Sequence, residues 1–470
     1  MRYLPAAALL FVLFPQSADA ATLDGTAMHW PFALPFIGLL LSIATGPLLF
    51  PKVWHHHYGK IAAGWAIVTL GSIWWLVGGA GTLAAVVHAL LGEYMSFILL
   101  LFSLYTVAGG IVVSGDIRGS PLSNTVIMSL GTVMASIVGT TGASMILIRP
   151  LIRANLSRPH NRHVIIFFII LVANVGGALS PLGDPPLFVG FLNGVDFFWT
   201  TQNLWLQTLI VAGSLLTIFV VIDVWRYRAE PTAVSVGPSS APIRIRGLLN
   251  IPLIAAIIGC ILLSASWKPG IAMDIVGTHL ELQNVVRDAM LMVIALLSLW
   301  LTPDEHRAAN GFTWEPIREV AKLFAAIFVA IIPVVAMLNA GKDGAFAWLL
   351  SAVTEPNGTP MEVAYFWYTG LMSAFLDNAP TYLLFFKLAG GNVEPLMNAL
   401  SGTLASISMG AVYMGALTYI GNAPNFMIAA IAAERGIKMP SFFGYLLIAS
   451  CILVPLFLLL TFLPIAPVLR

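Results

Sequence analysis

The chain has 470 residues, 59% of them hydrophobic and 9% charged, with a net charge of +1. A typical soluble domain carries roughly 25% charged residues, so this composition excludes an ordinary soluble enzyme. It also gives no basic surface for nucleic acid, and leaves the lipid bilayer as the main surroundings. Cys260 and Cys451 both lie in apolar runs and read as small buried or lipid-facing residues, neither metal ligands nor a disulfide.

Residues 1–20 have the layout of a secretory signal: Arg2, an apolar stretch from Ala6 to Phe14, then Ala18-Asp19-Ala20. A first span is expected at about 33–50. Runs such as Phe97–Val113, Leu204–Ile222, Ile251–Ala265 and Leu446–Leu463 are nearly charge-free and near spanning length. Segments 51–60, 114–122, 149–163, 226–248, 303–322 and 435–440 hold most of the 22 basic residues. The positive-inside rule puts them in the cytoplasm. Trp54, Trp74, Trp75, Trp199, Trp267 and Trp300 are expected as interface anchors, and His55-His56-His57 as the surface start of a cytoplasmic loop.

That assignment requires two segments to enter and leave on one side. Ser123–Arg153 is apolar around a polar centre, Gly139-Thr140-Thr141-Gly142-Ala143-Ser144. Glu362–Gly391 repeats the design around Phe375-Leu376-Asp377-Asn378-Ala379-Pro380-Thr381. Each is expected to be a re-entrant helical hairpin, one from each face. Irregular backbone at that depth is tolerated only inside protein or along a cavity.

About 40 residues after each hairpin comes a broken span. Leu179-Ser180-Pro181-Leu182-Gly183-Asp184-Pro185-Pro186-Leu187-Phe188 aligns, 238 positions on, with Leu417-Thr418-Tyr419-Ile420-Gly421-Asn422-Ala423-Pro424-Asn425-Phe426. Matched interruptions in two halves point to a transporter's binding site. The expected fold is therefore an all-α polytopic membrane protein of about 9–11 spans, made of two inverted-topology repeats. Each repeat holds one re-entrant hairpin and one broken transmembrane helix. Residues 21–225 form the first repeat and 249–470 the second, and 226–248 reads as a flexible cytoplasmic linker.

Ionisable groups at bilayer depth are functional candidates. Asp184 lies in the first break and Asp377 at the second hairpin tip, and each also fits a helix cap. Asn378, Thr140, Thr141, Ser144, Ser180, Thr381, Thr418, Asn422 and Asn425 gather at the same four points. Gly142, Gly183, Gly421 and Pro380 are the expected backbone breaks. Such hydroxyls, amides and unwound carbonyls suit a dehydrated Na⁺, while half-helix N-termini suit an anion. An Na⁺ site is expected at Asp377, Asn378, Thr418 and Asn422. Asn174, ahead of Gly176-Gly177, fits an interhelical hydrogen bond as well. No arginine lies at the four points, and Lys387 is expected to snorkel to the outer interface.

These motifs resemble the ion-transporter superfamily, which includes NhaD-type sodium/proton antiporters, arsenite exporters and citrate or dicarboxylate symporters. The resemblance covers nearly all of the chain after residue 20. The Asp377-Asn378 pair and the Gly183-Asp184 and Gly421-Asn422 breaks look most like the antiporter branch. Two departures stand out: Ser123-Asn124-Thr125, the letters of the dicarboxylate signature, fall at a hairpin entrance, and the first hairpin tip has no acid. The resemblance implies a secondary transporter of the bacterial inner membrane, with no cofactor and with Na⁺ as a transported or coupling ion.

The expected function is Na⁺/H⁺ antiport by competition for Asp377 and Asp184, which requires a carboxylate that burial keeps titratable near neutral pH. The alternative is Na⁺- or H⁺-coupled symport of citrate or another carboxylate; a homodimer stays open. An intramembrane protease using the two aspartates as an acid/base pair fits poorly, because no further catalytic constellation accompanies them. A non-transporting assembly subunit fits poorly too, since buried polar breaks would cost stability there without serving a site.

Overall fold

The computed structural model describes residues 23–230 and 241–462, so the expected signal segment lies outside them. Helices dominate because apolar runs in lipid must satisfy their backbone groups internally. Among the described residues, seven helical segments are long and apolar enough to span: Trp30–Leu49, Pro51–Ala108, Pro121–Val138, Arg162–Leu179, Trp199–Arg228, Leu282–Leu301 and Phe442–Phe462. The pair Glu315–Ala330 and Ile332–Asn339, bent by 41°, makes an eighth if counted as one span.

This count is below the expected 9–11 for two physical reasons. Helices interrupted at a break are too short to cross alone, and one long segment contains a reversal. The 58-residue segment Pro51–Ala108 would reach roughly 87 Å if straight, about three times the hydrocarbon thickness. It folds back instead: Gly78 sits at φ 70°, outside helical geometry. Lys322 Nζ lies 5.2 Å from the Tyr58 ring, while Tyr94 donates to the neighbouring Ala321 carbonyl at 2.9 Å.

Both expected hairpins turn back. In the first, Pro121–Val138 and Thr140–Asn155 meet at Gly139, φ 82°. Asn124 and Asn155, at its two outer ends, exchange side-chain hydrogen bonds of 2.7 and 3.0 Å. In the second, Glu362–Phe375 and Asn378–Leu388 flank an extended Leu376-Asp377 turn. There the Tyr365 and Phe385 rings pack edge to face at 6.3 Å. The turns differ from expectation by a few residues. Gly142 is inside a helix, packed toward Ala108, and Pro380 belongs to the first turn of its helix, where a missing N–H costs nothing.

Basic segments collect on one polar face. Arg158 pairs with Asp223 at 2.6 Å and Glu230 at 3.1 Å, and Asp223 also meets His163 and Asn124, each at 2.9 Å. Arg153 donates to the Val113 carbonyl at 2.8 Å, and Asn310 to that of Ile111 at 2.7 Å. The stretch read as a flexible linker is partly ordered. Arg244–Arg246 pairs antiparallel with Val112–Ser114, because that strand edge is otherwise unpaired; residues 231–240 lie outside the described residues. A second small sheet, Ala272–Ile275 with Thr278–Glu281, turns through Val276 and Gly277, both at positive φ.

Some side chains depart from their expected places. Trp74, Trp75, Trp267 and Trp300 are exposed, but Trp54 and Trp199 are buried, the latter donating to the Met397 carbonyl at 3.2 Å. Lys387 does not reach outward alone; its Nζ donates to Asn193 at 2.8 Å. The three histidines are exposed on a helix that begins at Pro51 rather than on a loop.

Candidate functional site

The two broken spans have the same backbone. Ser180 and Thr418 are extended at φ/ψ of −150°/159° and −134°/167°. Asp184 and Asn422 precede their helices at −138°/142° and −153°/137°. Each hydroxyl donates across to the preceding hairpin: Ser180 to the Ser136 carbonyl, and Thr418 to the Ala374 carbonyl at 2.5 Å. Each also accepts from the amide two residues on, at 3.2 Å in both copies. Close backbone approach explains the glycines. A Cβ on Gly421 would lie 2.5 Å from the Gly415 carbonyl oxygen and 2.9 Å from that of Ser373, and Gly183 abuts Gly177 likewise.

The four interruptions meet on one carboxylate. Asp184 Oδ1 accepts from Thr140 Oγ1 at 3.0 Å and Asn422 Nδ2 at 2.9 Å, and Oδ2 accepts from Asn378 Nδ2 at 2.5 Å. One residue thus comes from each hairpin tip and each break. Asp184 is 1% exposed. Helices start at Thr140, Pro185, Asn378 and Ala423, so four N-terminal dipole ends surround this carboxylate.

An amide chain extends the arrangement. Asn422 also donates to the Ala173 carbonyl at 2.9 Å and to Asn174 at 3.3 Å, and Asn174 donates to Asn425 at 2.7 Å. Asn425 in turn ties the Gly415 and Thr418 carbonyls, both at 2.9 Å. Asn378 Oδ1 is buried and has no hydrogen-bond partner, and neither has Ser144 Oγ. An acceptor beside a carboxylate, without a donor, is what a cation would complete.

Asp377 is placed differently. Its Oδ1 accepts from the Ala379 amide at 3.1 Å, so it caps its own helix, and Thr381 donates back to its carbonyl at 2.9 Å. The expected Na⁺ set is therefore not gathered: Asn378 and Asn422 converge on Asp184, whereas Asp377 and the Thr418 hydroxyl are engaged elsewhere. Thr141 is half-buried beside the tip. Among the described residues no group of three or more His, Cys, Asp or Glu side chains is placed to hold a metal ion. Sequence reasoning missed Ser136 and Ser373, which donate to the Gly176 and Ala411 carbonyls at 2.5 and 2.6 Å. As single serines in apolar helices they carry no local signal.

By the family it matches, this polytopic helical membrane protein is a secondary transporter of the ion-transporter superfamily rather than an enzyme. The family described as "Putative citrate transport" matches residues 25–465, and the chain belongs to that family. No curated protein matches it.

Proposed function

We propose that the protein carries citrate or a related di- or tricarboxylate across the bacterial inner membrane, coupled to Na⁺ or H⁺ at Asp184. The observation that carries this reading is the convergence of Thr140, Asn378 and Asn422 on that carboxylate, with Asn378 Oδ1 left as a buried acceptor. Charge balance supports it. Four helix N-termini, each of about +0.5, favour negative charge where they meet. A cation bound at Asp184 offsets one substrate carboxylate, and the remaining carboxylates of a di- or tricarboxylate need other donors. On this reading a substrate carboxylate faces the helix ends, and the cation binds Asp184 with neighbouring amide and backbone oxygens.

The matched breaks, 238 positions apart with like dihedrals, support two inverted repeats over 21–225 and 249–470, joined through 226–248. Alternating access then follows from movement of the hairpin-bearing repeats. Na⁺/H⁺ antiport is the second reading, favoured by a second acid, Asp377, beside the Asn378 that donates to Asp184, where a cation and a proton would exclude each other. Proteoliposomes decide between them: labelled citrate accumulates under an inward Na⁺ or H⁺ gradient on the first reading. On the second, Na⁺ drives proton movement without citrate.

A further inference from the structure

A basic group lies on the first hairpin away from the four breaks. In the helix Thr140–Asn155, Thr141, Met145 and Arg149 recur every four residues and share one face. Contacts fix where that face points. Met145 packs with Tyr105 and Ile317 in a small apolar cluster, bordered by Phe312 and Met427 and separate from the main core. Arg149 Nη2 reaches the Gly311 carbonyl at 3.4 Å. The face therefore looks across to the helices Met95–Ala108 and Glu315–Ala330. It runs from half-buried Thr141, beside the centre, to half-buried Arg149, about 12 Å further along the axis.

Arg149 forms no ion pair among the described residues. Its charged neighbours are Arg435, Glu434 and Arg153, a positive balance, and Arg153 is already held by the Val113 carbonyl. A half-buried guanidinium with one long backbone contact retains unused donors, in the planar fork that matches a carboxylate.

We propose that Arg149 is a carboxylate-binding subsite on the substrate's route between Asp184 and the polar face that carries Arg153 and Arg158. The Met145–Tyr105–Ile317 cluster is the apolar constriction between the two. This inference rests on the carboxylate reading above. Its test is citrate transport by the full-length protein in vesicles of known orientation, saturated from each side in turn. Arg149→Gln is expected to raise the half-saturating citrate concentration about 10-fold or more from the Arg149 side, and by less than about 2-fold from the other. Arg149→Lys, which keeps the charge but loses the fork, falls between, and it carries the test if the glutamine variant fails to fold. Arg153→Gln leaves half-saturation unchanged.

Unchanged half-saturation from both sides in the Arg149 variants, with wild type transporting citrate, overturns the subsite. So does a lowered melting temperature alone, which would make Arg149 a structural tie to Gly311. A wild type that moves no carboxylate overturns the carboxylate reading, and the subsite with it.

Discussion

Asp184 and Asn422 are 238 residues apart in the chain, occupy the same place in its two broken spans, and touch: Asn422 Nδ2 donates to Asp184 Oδ1 at 2.9 Å. One copy carries a charge and the other an amide, so the pair is complementary where identical acids would repel. The difference between the two breaks is what lets a single carboxylate stay buried at their meeting point.

Asn422→Asp tests this complementarity. The amide donates to three acceptors, the Ala173 carbonyl, Asn174 and Asp184, and an ionised aspartate would face all three with no donor. A loss of several kcal/mol is expected from a buried unpaired charge, read as a lowered melting temperature in detergent. The exchange variant Asp184→Asn with Asn422→Asp should recover part of it by restoring one acid and one amide. Normal melting of the single variant would mean that the contact is not needed.

Gly421→Val tests the break. Its Cβ would come within 2.5 Å of the Gly415 carbonyl oxygen, which is rigid backbone. Overpacking of this kind costs about 1–3 kcal/mol or more, and the folded yield on size-exclusion chromatography should collapse. Gly436→Ala, whose added Cβ would meet nothing within 4 Å, is a control for strain alone, since that glycine has φ 82°. Wild-type yield and transport in Gly421→Val would remove the close approach from the account.

Asp377 separates a cap from a coupling acid. Asparagine caps nearly as well as aspartate, whereas alanine costs about 1 kcal/mol. Asp377→Asn should therefore keep both melting temperature and cation-dependent transport, and Asp377→Ala should lose some of the former. If Asp377→Asn abolishes the cation dependence, Asp377 is the coupling carboxylate.

Arg158 anchors the polar face. Removing it by Arg158→Gln leaves Asp223, fully buried, with only His163 and Asn124. Breaking a buried pair costs about 3–5 kcal/mol, and the hairpin mouth at Asn124 and Asn155 should loosen first. Hydrogen exchange over 118–125 and 154–162 reads this; unchanged protection would show that the ion pairs are not what holds that face.

Much of the fold was legible, because glycine, proline and polar side chains inside apolar runs are costly unless a helix ends there. Both hairpins and both breaks follow from that rule. Turn positions drifted by a few residues: Gly139, at φ 82°, makes the first turn, while Gly142 is small for packing. Composition cannot tell these uses of glycine apart. The centre of the site was less legible. Asp184 and Asp377 each precede a helix and look alike locally, and only the tertiary meeting of four segments distinguishes hub from cap. The strand at Arg244–Arg246 escaped notice because three residues carry no period, and the span count suffered from the reversal at Gly78.

The proposed transport rests on Asp184 coupling a cation to carboxylate movement. Its most direct test is labelled citrate uptake into proteoliposomes under imposed Na⁺ or pH gradients, comparing wild type with Asp184→Asn. Asparagine keeps the shape but offers one acceptor oxygen, and it turns an amide group toward Asn378 or toward Thr140 and Asn422. Wild type should concentrate citrate only while the gradient lasts. Asp184→Asn, inserted and folded, should lose at least about 10-fold of gradient-driven uptake, with no dependence on the cation remaining. Gradient-driven uptake by Asp184→Asn at the wild-type rate would contradict the account.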